Sequence, residues 1–343
     1  MAPTSAPSVI LGTHELSLGG EHLEEMRAAS ALLHQEDPAA LRAQLARDGY
    51  LLIRNLLPRE SLLRAQRTII DGLRVRGWPL RACGDGHVVE EHAGWTHRTA
   101  ASVGALRPED LEWGQELMHR PEVLAVLEGP ELRGFFEGLF GEEPVSLYRK
   151  WLRTAASGAA TNFHVDNPFF SRGSPALTAC WIPLAPCDLS QGGLALLAGS
   201  NHLPGFARVR REYGHAFASG LHSKEATKPA LDATQLFKDP LELSALDRGA
   251  RWVTTNYDLG DVVVFPMLTF HGTLTSSNAS GRLRLSADCR FQPESRLMDP
   301  RYSPTRLVDP ASQARLAKRS TPPPTRTVAQ ARADWGLVPR AAL

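Results

Sequence analysis

The chain has 343 residues, of which 43% are hydrophobic and 22% charged, the balance of a folded protein able to bury a sizeable core. Its 38 Lys and Arg nearly cancel 37 Asp and Glu, so no net field recruits nucleic acid or an anionic membrane. The first twenty residues, MAPTSAPSVILGTHELSLGG, lack the basic and apolar regions of a signal peptide, and no later apolar run approaches a membrane span. A cytoplasmic protein is expected. Cys83, Cys180, Cys187 and Cys289 form no C-x-x-C pair and are too sparse for a disulfide framework, which leaves them as small buried hydrophobes.

Residues 1–36 read as an N-terminal extension. In DPAALRAQLARDGY, Asp37 is a candidate N-cap with Pro38 at the first helical position, and Leu41 and Leu45 share a face. The apolar run GYLLIRNLL suits a buried strand, and PRESLLRAQRTIIDGLRVRGW places Leu62, Leu63, Ile69, Ile70 and Leu73 on a helical stripe. The polar, glycine-bearing stretch ACGDGHVVEEHAGWTHRTA reads as a long loop whose His87, His92 and His97 are solvated. Three proline-led segments, RPEDLEWGQELMH, RPEVLAVLEG and GPELRGFFEGLFG, predict short helices.

From residue 144 the character becomes β. PVSLYRKWLRTA, ALTACWIPLA, GGLALLAG, DVVVFPMLTFH and RLRLSADCRFQP are short apolar or alternating runs separated by turn formers. Without long intervening helices they favour a sandwich or barrel over a parallel sheet. Residues 203–250 form a polar insertion of the kind that serves as a lid or substrate loop, and the 296–343 tail offers a weak helix at Val328 to Trp335. Residues 37–295 are expected to make one β domain with helical decoration.

The chemistry gathers around TNFHVDNPFF. On a strand His164 and Asp166 project the same way and can grip one ion. His271, at the end of a later strand, supplies a third ligand, and two imidazoles with one carboxylate suit a non-haem Fe(II) oxygenase, with Zn²⁺ and Mn²⁺ also compatible. An oxygenase of this type needs a cation for the far end of a dicarboxylate co-substrate. Arg282 and Arg284 lie on one face of the strand that follows, where a buried cation is costly unless an anion meets it.

In order, HVD, WIPLAPCDLSQGGLALLAGSNH, LGDVVVFPMLTFHGTL and RLRLSADCRFQP resemble the phytanoyl-CoA dioxygenase-like branch of the Fe(II)/2-oxoglutarate-dependent oxygenases, over roughly residues 40–295. The resemblance implies a mainly β fold, a double-stranded β-helix (a cupin-like jelly roll) flanked by N-terminal helices. It implies iron on His164, Asp166 and His271, with 2-oxoglutarate and O2 as co-substrates and Arg282 on the distal carboxylate, Arg284 being the alternative. By the same resemblance YRKWLRT is the strand that offers a polar side chain to the co-substrate, so Lys150 and Arg153 are candidates. Thr178 is expected toward the co-substrate, Trp181 in the core, and Asn167, Phe169 and Phe170 on the substrate side. His202 matches the family's G-S-H turn, with the departures that Ala198 stands before it and Asn201 is inserted. Retention of Asp166 argues for hydroxylation and against halogenation.

The implied activity is hydroxylation of an aliphatic C–H bond in a small molecule, with succinate and CO2 formed. The same iron site also serves desaturation, cyclisation or demethylation. A metal- or ligand-binding jelly roll without turnover, and a Zn²⁺ hydrolase, are the readings from other classes. Arg208, Arg210 and Arg211 read as a solvated face rather than a coenzyme A phosphate site.

Overall fold

In a computed structural model, residues 6–91, 108–170, 173–213, 237–278, 280–299, 302 and 328–337 are described. His92, His97 and the middle of the 203–250 insertion lie outside them. The chain opens with a hairpin of β1 (Ser8–Leu11) and β2 (His14–Ser17), then β3 (Leu23–Glu25) and α1 (Ser30–His34). Next come α2 (Pro38–Asp48), β4 (Leu51–Ile53) and α3 (Arg59–Val75). The start signal of α2 works as its residues require: the Asp37 side chain accepts from the Ala40 N–H at 2.9 Å, and Gly49, at φ 77°, ends the helix in the left-handed conformation. Along α3, Leu62, Ala65, Ile69, Ile70 and Leu73 are buried at helical spacing.

The described part of the expected long loop, up to residue 91, is not wholly irregular. It contains β5 (Leu80–Ala82) and β6 (Val88–Glu90), paired antiparallel, with Gly86 at φ 93° in the turn between them. Val88 is buried, and β6 adds to the edge of a sheet, so two valines outweigh the polar residues around them. Helices α4 (Pro108–Met118), α5 (Pro121–Leu127) and α6 (Pro130–Phe140) begin at the three prolines.

The β region contributes β7 (Pro144–Ser146), β8 (Trp151–Ala155), α7 (Asn167–Phe170), β9 (Thr178–Pro183), β10 (Leu194–Ala198) and α8 (Ala207–Glu212). It ends with α9 (Pro240–Ser244), β11 (Arg251–Thr254), β12 (Val262–Pro266), β13 (His271–Thr273), β14 (Arg282–Pro293) and α10 (Val328–Asp334). PVSLYRKWLRTA is two strands rather than one. The Gln115 side chain holds both the N–H (3.0 Å) and the carbonyl (2.7 Å) of Lys150, and the Lys150 ammonium turns inward onto Glu128, taking this stretch out of the ladder.

Two sheets result. The smaller has the order β13-β10-β11-β3; the larger runs β4-β12-β9-β14-β6-β5, with β7 and β8 also on β14. The N-terminal extension is thereby woven into the fold, β3 lying parallel to β11. The described ends of the insertion are also packed, since Phe206, Val209, Tyr213, Phe237 and Leu243 join one buried cluster with Trp335. At these described ends the low periodicity reflects short elements held by aromatic contacts.

Strand β14 organises the molecule. Its alternate residues Leu283, Leu285, Ala287, Cys289 and Phe291 belong to the apolar cluster shared with α3, α5 and α6. The other parity, Arg284, Ser286, Asp288 and Arg290, is polar, buried, and directed to the opposite face. Phe136 of α6 stacks on Phe291 with ring centroids 4.3 Å apart and is fully buried, which seats the helical layer on this strand. Phe136→Ala is expected to cost about 3–5 kcal/mol of unfolding free energy, read as a lowered urea midpoint at unchanged slope.

Candidate metal centre

His164 and His271 face one another across a narrow antiparallel bridge in which each backbone N–H donates to the other's carbonyl at 2.9 Å. Two consequences follow for the side chains. The rings stand 4.2 Å apart, centroid to centroid, and Asp166, two residues beyond His164, projects to the same side. The helical turn α7 starts at once after it, with the Asn167 N–H bonded to the Met267 carbonyl.

The Nδ1 atoms lie 2.9 Å from the Asn162 carbonyl for His164 and 3.0 Å from the Thr269 carbonyl for His271. A carbonyl only accepts, so each Nδ1 carries the proton and each Nε2 presents its lone pair. These two Nε2 atoms lie 3.6 and 3.8 Å from Asp166 Oδ1, and one ligand atom from each residue falls within 4.8 Å of the others. The backbone carbonyls thus fix both tautomers in the ligating form.

Electrostatics agree with ligation. Burial pushes the His271 imidazole down to about 3, helped by His164, and burial likewise lowers His164 against the pull of Asp166. Both are neutral bases near neutral pH. Burial acts to raise the Asp166 carboxyl, but Arg290 and the two histidines outweigh it and hold the group well below the usual carboxylate range. A deprotonated carboxylate and two neutral imidazoles are the forms a cation requires.

The triad opens onto a narrow cavity walled by Ala179, Trp181, Leu194 and Phe265, with Arg153, Thr161, Thr273, Asp288 and Arg290 as polar members. Trp181 is therefore both buried, as expected, and part of this wall. Arg153 reaches the cavity already paired with Asp288. The remaining polar expectations fall elsewhere. Lys150 is fully buried against Glu128, with its ammonium also on Ser146 Oγ and the Leu147 carbonyl. The Thr178 hydroxyl donates to the Ala176 carbonyl at 3.2 Å. Neither lines the cavity, and Arg282 and Arg284 are also outside its lining.

Arg282 opens β14 opposite Val89 at the sheet edge and is half-buried. Arg284, one step inward on the same face, is 3% exposed; it donates to the Gly192 carbonyl, while its Nε finds no acceptor. Burial lowers its guanidinium from the ordinary value. No carboxylate among the described residues forms an ion pair with it. Asn167 is buried, Phe169 lies edge-on to His164 with ring centroids 6.3 Å apart, and Phe170 packs against Arg290. His202 is exposed, with Nδ1 3.3 Å from Asn201 Oδ1, the inserted residue. His87 meets Asp85 at 3.0 Å. In α8, Arg208 pairs with Glu212, Arg210 donates to backbone carbonyls of residues 200, 202 and 203, and Arg211 is exposed.

Arg290 is the site residue that sequence reasoning missed. Its Nη2 donates to Asp166 Oδ2 at 2.6 Å and its Nε to the same oxygen at 3.2 Å. The alternation of RLRLSADCRFQP carried the signal, since residue 290 has the parity of 282 and 284.

Two histidines and one aspartate, with Asp166 and His271 buried and His164 partly so, are a donor set that would leave three positions open on a bound ion. Residues 45–285 match the family model for phytanoyl-CoA dioxygenase (PhyH), and the chain belongs to that family. Fe(II), 2-oxoglutarate and O2, the cofactor and co-substrates the family implies, suit this donor set of neutral imidazoles and carboxylate. No curated protein matches the sequence. Among solved structures, it is similar to the non-heme alpha ketoglutarate dependent carbocyclase SnoK from nogalamycin biosynthesis, at 16% identity over 84% of this chain and 93% of that one, with a TM-score of 0.47. The epimerase SnoN from the same biosynthesis is 18% identical over 77% and 87%, TM-score 0.44. EctD from S. alaskensis with bound Fe is 15% identical over 83% and 86%, TM-score 0.44. Among the described residues no helix is long and apolar enough to cross a membrane.

Proposed function

We propose that the protein is an Fe(II)/2-oxoglutarate-dependent dioxygenase that hydroxylates an aliphatic C–H bond of a small molecule, forming succinate and CO2. The fold behind this reading is a double-stranded β-helix, supported by the strand orders β8-β14-β9-β12 and β13-β10-β11, with His164 bridged onto β13. The observation that carries the reading is the presence together of a His–Asp–His group, with Asp166 and His271 buried, and of the buried Arg284, which has no ion-pair partner among the described residues and lies on the same strand face as the cavity-lining Asp288 and Arg290.

His164, Asp166 and His271 would hold the iron. When bound, the iron supplies oxidative chemistry with O2 that protein side chains lack. For the distal carboxylate of 2-oxoglutarate the reading selects Arg284 over Arg282, because a buried guanidinium with an orphan Nε is costly until an anion meets it. Arg282, at the first position of the strand, is half-buried and keeps access to solvent. Arg153 is committed to Asp288 and keeps that carboxylate from competing for the metal or for Arg284. Trp181, Leu194 and Phe265 keep the cavity apolar, which excludes water and strengthens each of these contacts.

The test is turnover. Purified protein supplied with Fe(II), ascorbate and 2-oxoglutarate in air should release succinate above a metal-free control, slowly without substrate and faster when a screen reaches the right one. Succinate at the control level across a broad set of small hydrophobic and polar molecules would sink the dioxygenase reading. A variant test belongs with it: Trp181→Ala, which opens the cavity wall, is expected to lower the yield of product per succinate while stability falls by about 3–5 kcal/mol. An unchanged yield would remove Trp181 from the site.

A further inference from the structure

We infer that Arg290 is a positioning residue that determines how Asp166 meets the metal, leaving Oδ1 as the only ligand oxygen and holding Oδ2 away. The inference rests on the metal-centre reading above and goes beyond it.

The geometry separates the two oxygens of one carboxylate. Oδ2 receives two donors from a single guanidinium, Nη2 at 2.6 Å and Nε at 3.2 Å. Oδ1 faces the two Nε2 atoms, at 3.6 and 3.8 Å. For Oδ2 to swing toward the same centre it must give up two charge-assisted hydrogen bonds inside a buried site, where such bonds are strongest. A carboxylate held this way spends one coordination position, not two.

Arg290 is itself held from the other side. Its guanidinium carbon sits 4.0 Å from the Trp151 ring centroid and 4.5 Å from that of Phe170. Those rings pack edge-on at 5.7 Å, and Tyr302 closes on Phe170 at 5.0 Å. The aromatic slot fits a flat, delocalised cation and does not suit the compact, strongly hydrated ammonium of lysine. Residue 290 is further anchored by the strand register, opposite Ala179 on β9. The third nitrogen, Nη1, is buried without a protein acceptor among the described residues.

The experiment is anaerobic titration of the metal-free full-length protein with Co(II), recording affinity and the visible ligand-field spectrum in wild type, Arg290→Gln and Arg290→Lys, with circular dichroism confirming the fold of each. Partners of metal ligands commonly contribute 10–100-fold to affinity, so R290Q is expected to bind Co(II) about 10–100-fold more weakly. Its absorption should also lose intensity as the freed carboxylate turns both oxygens to the ion and raises the coordination number. R290K, which keeps the charge but neither the two-donor contact nor the flat stacking face, should share that altered spectrum. Should R290Q fail to fold, R290K decides alone. A spectrum in the folded variants superimposable on wild type, with affinity within about twofold, would overturn the inference and leave Arg290 as structural support. Wild type that binds no Co(II) would overturn the metal-centre reading, and this inference with it.

Discussion

His271→Ala is expected to leave a folded protein that no longer retains Fe(II) and makes no succinate. The imidazole is one of three ligand groups, its Nδ1 is occupied by the Thr269 carbonyl, and no other imidazole or thiol among the described residues joins the group. Loss of a partner behind a ligand already costs 10–100-fold in affinity, so loss of the ligand itself should exceed about 100-fold. The backbone bridge between residues 164 and 271 uses no side-chain atom and survives the change. The lost stability is therefore expected to stay within about 1–2 kcal/mol, the range of an ordinary substitution. Iron content after desalting, set beside the thermal midpoint, separates these effects. Full iron retention in the variant would remove His271 from the ligand set.

Arg284→Met carries the second large effect. If this guanidinium grips the distal carboxylate, its removal deletes one partner of a buried, hydrogen-bonded charge pair, a loss of about 2–5 kcal/mol or roughly 30-fold to several-thousand-fold in 2-oxoglutarate affinity. Metal affinity without the co-substrate should be unchanged, because Arg284 is not among the cavity-lining groups around the ligands. Met preserves the apolar stem and avoids leaving a void. Arg282→Met serves as the control, and there the requirement for 2-oxoglutarate should move less than about threefold. The reverse outcome, a large effect at 282 and none at 284, would return the role to the strand's first residue.

Much of this arrangement was legible in the sequence because the determinants are local. Proline at the first turn of α2, α5 and α6, and Asp37 as N-cap, are decided within a few residues. The H-x-D spacing places two ligands on one side wherever the backbone is extended, and His271 follows from the strand before it. What escaped depends on partners far along the chain. Lys150 looked like a co-substrate contact, yet Glu128, just past the end of α5, and Gln115, on the helix α4 that packs against β8, claim its ammonium and its backbone. Arg284 and Arg282 share parity, and their difference arises only because β14 runs past the end of β8 and pairs its first two residues with β6. Arg290 was visible in principle as the third polar residue of the inward parity after Arg284, following Ser286 and Asp288. Its role needed Asp166, which is brought there by the chain turning at α7.

Anaerobic addition of Fe(II) and then 2-oxoglutarate to the purified protein tests the central claim most directly, with the visible metal-to-ligand charge-transfer band as the signal. The predicted result is a weak band that appears only with both components and bleaches on admission of oxygen, in step with release of succinate. Iron that binds without any such band at saturating 2-oxoglutarate would contradict the account and point to a metal site that serves hydrolysis or ligand sensing.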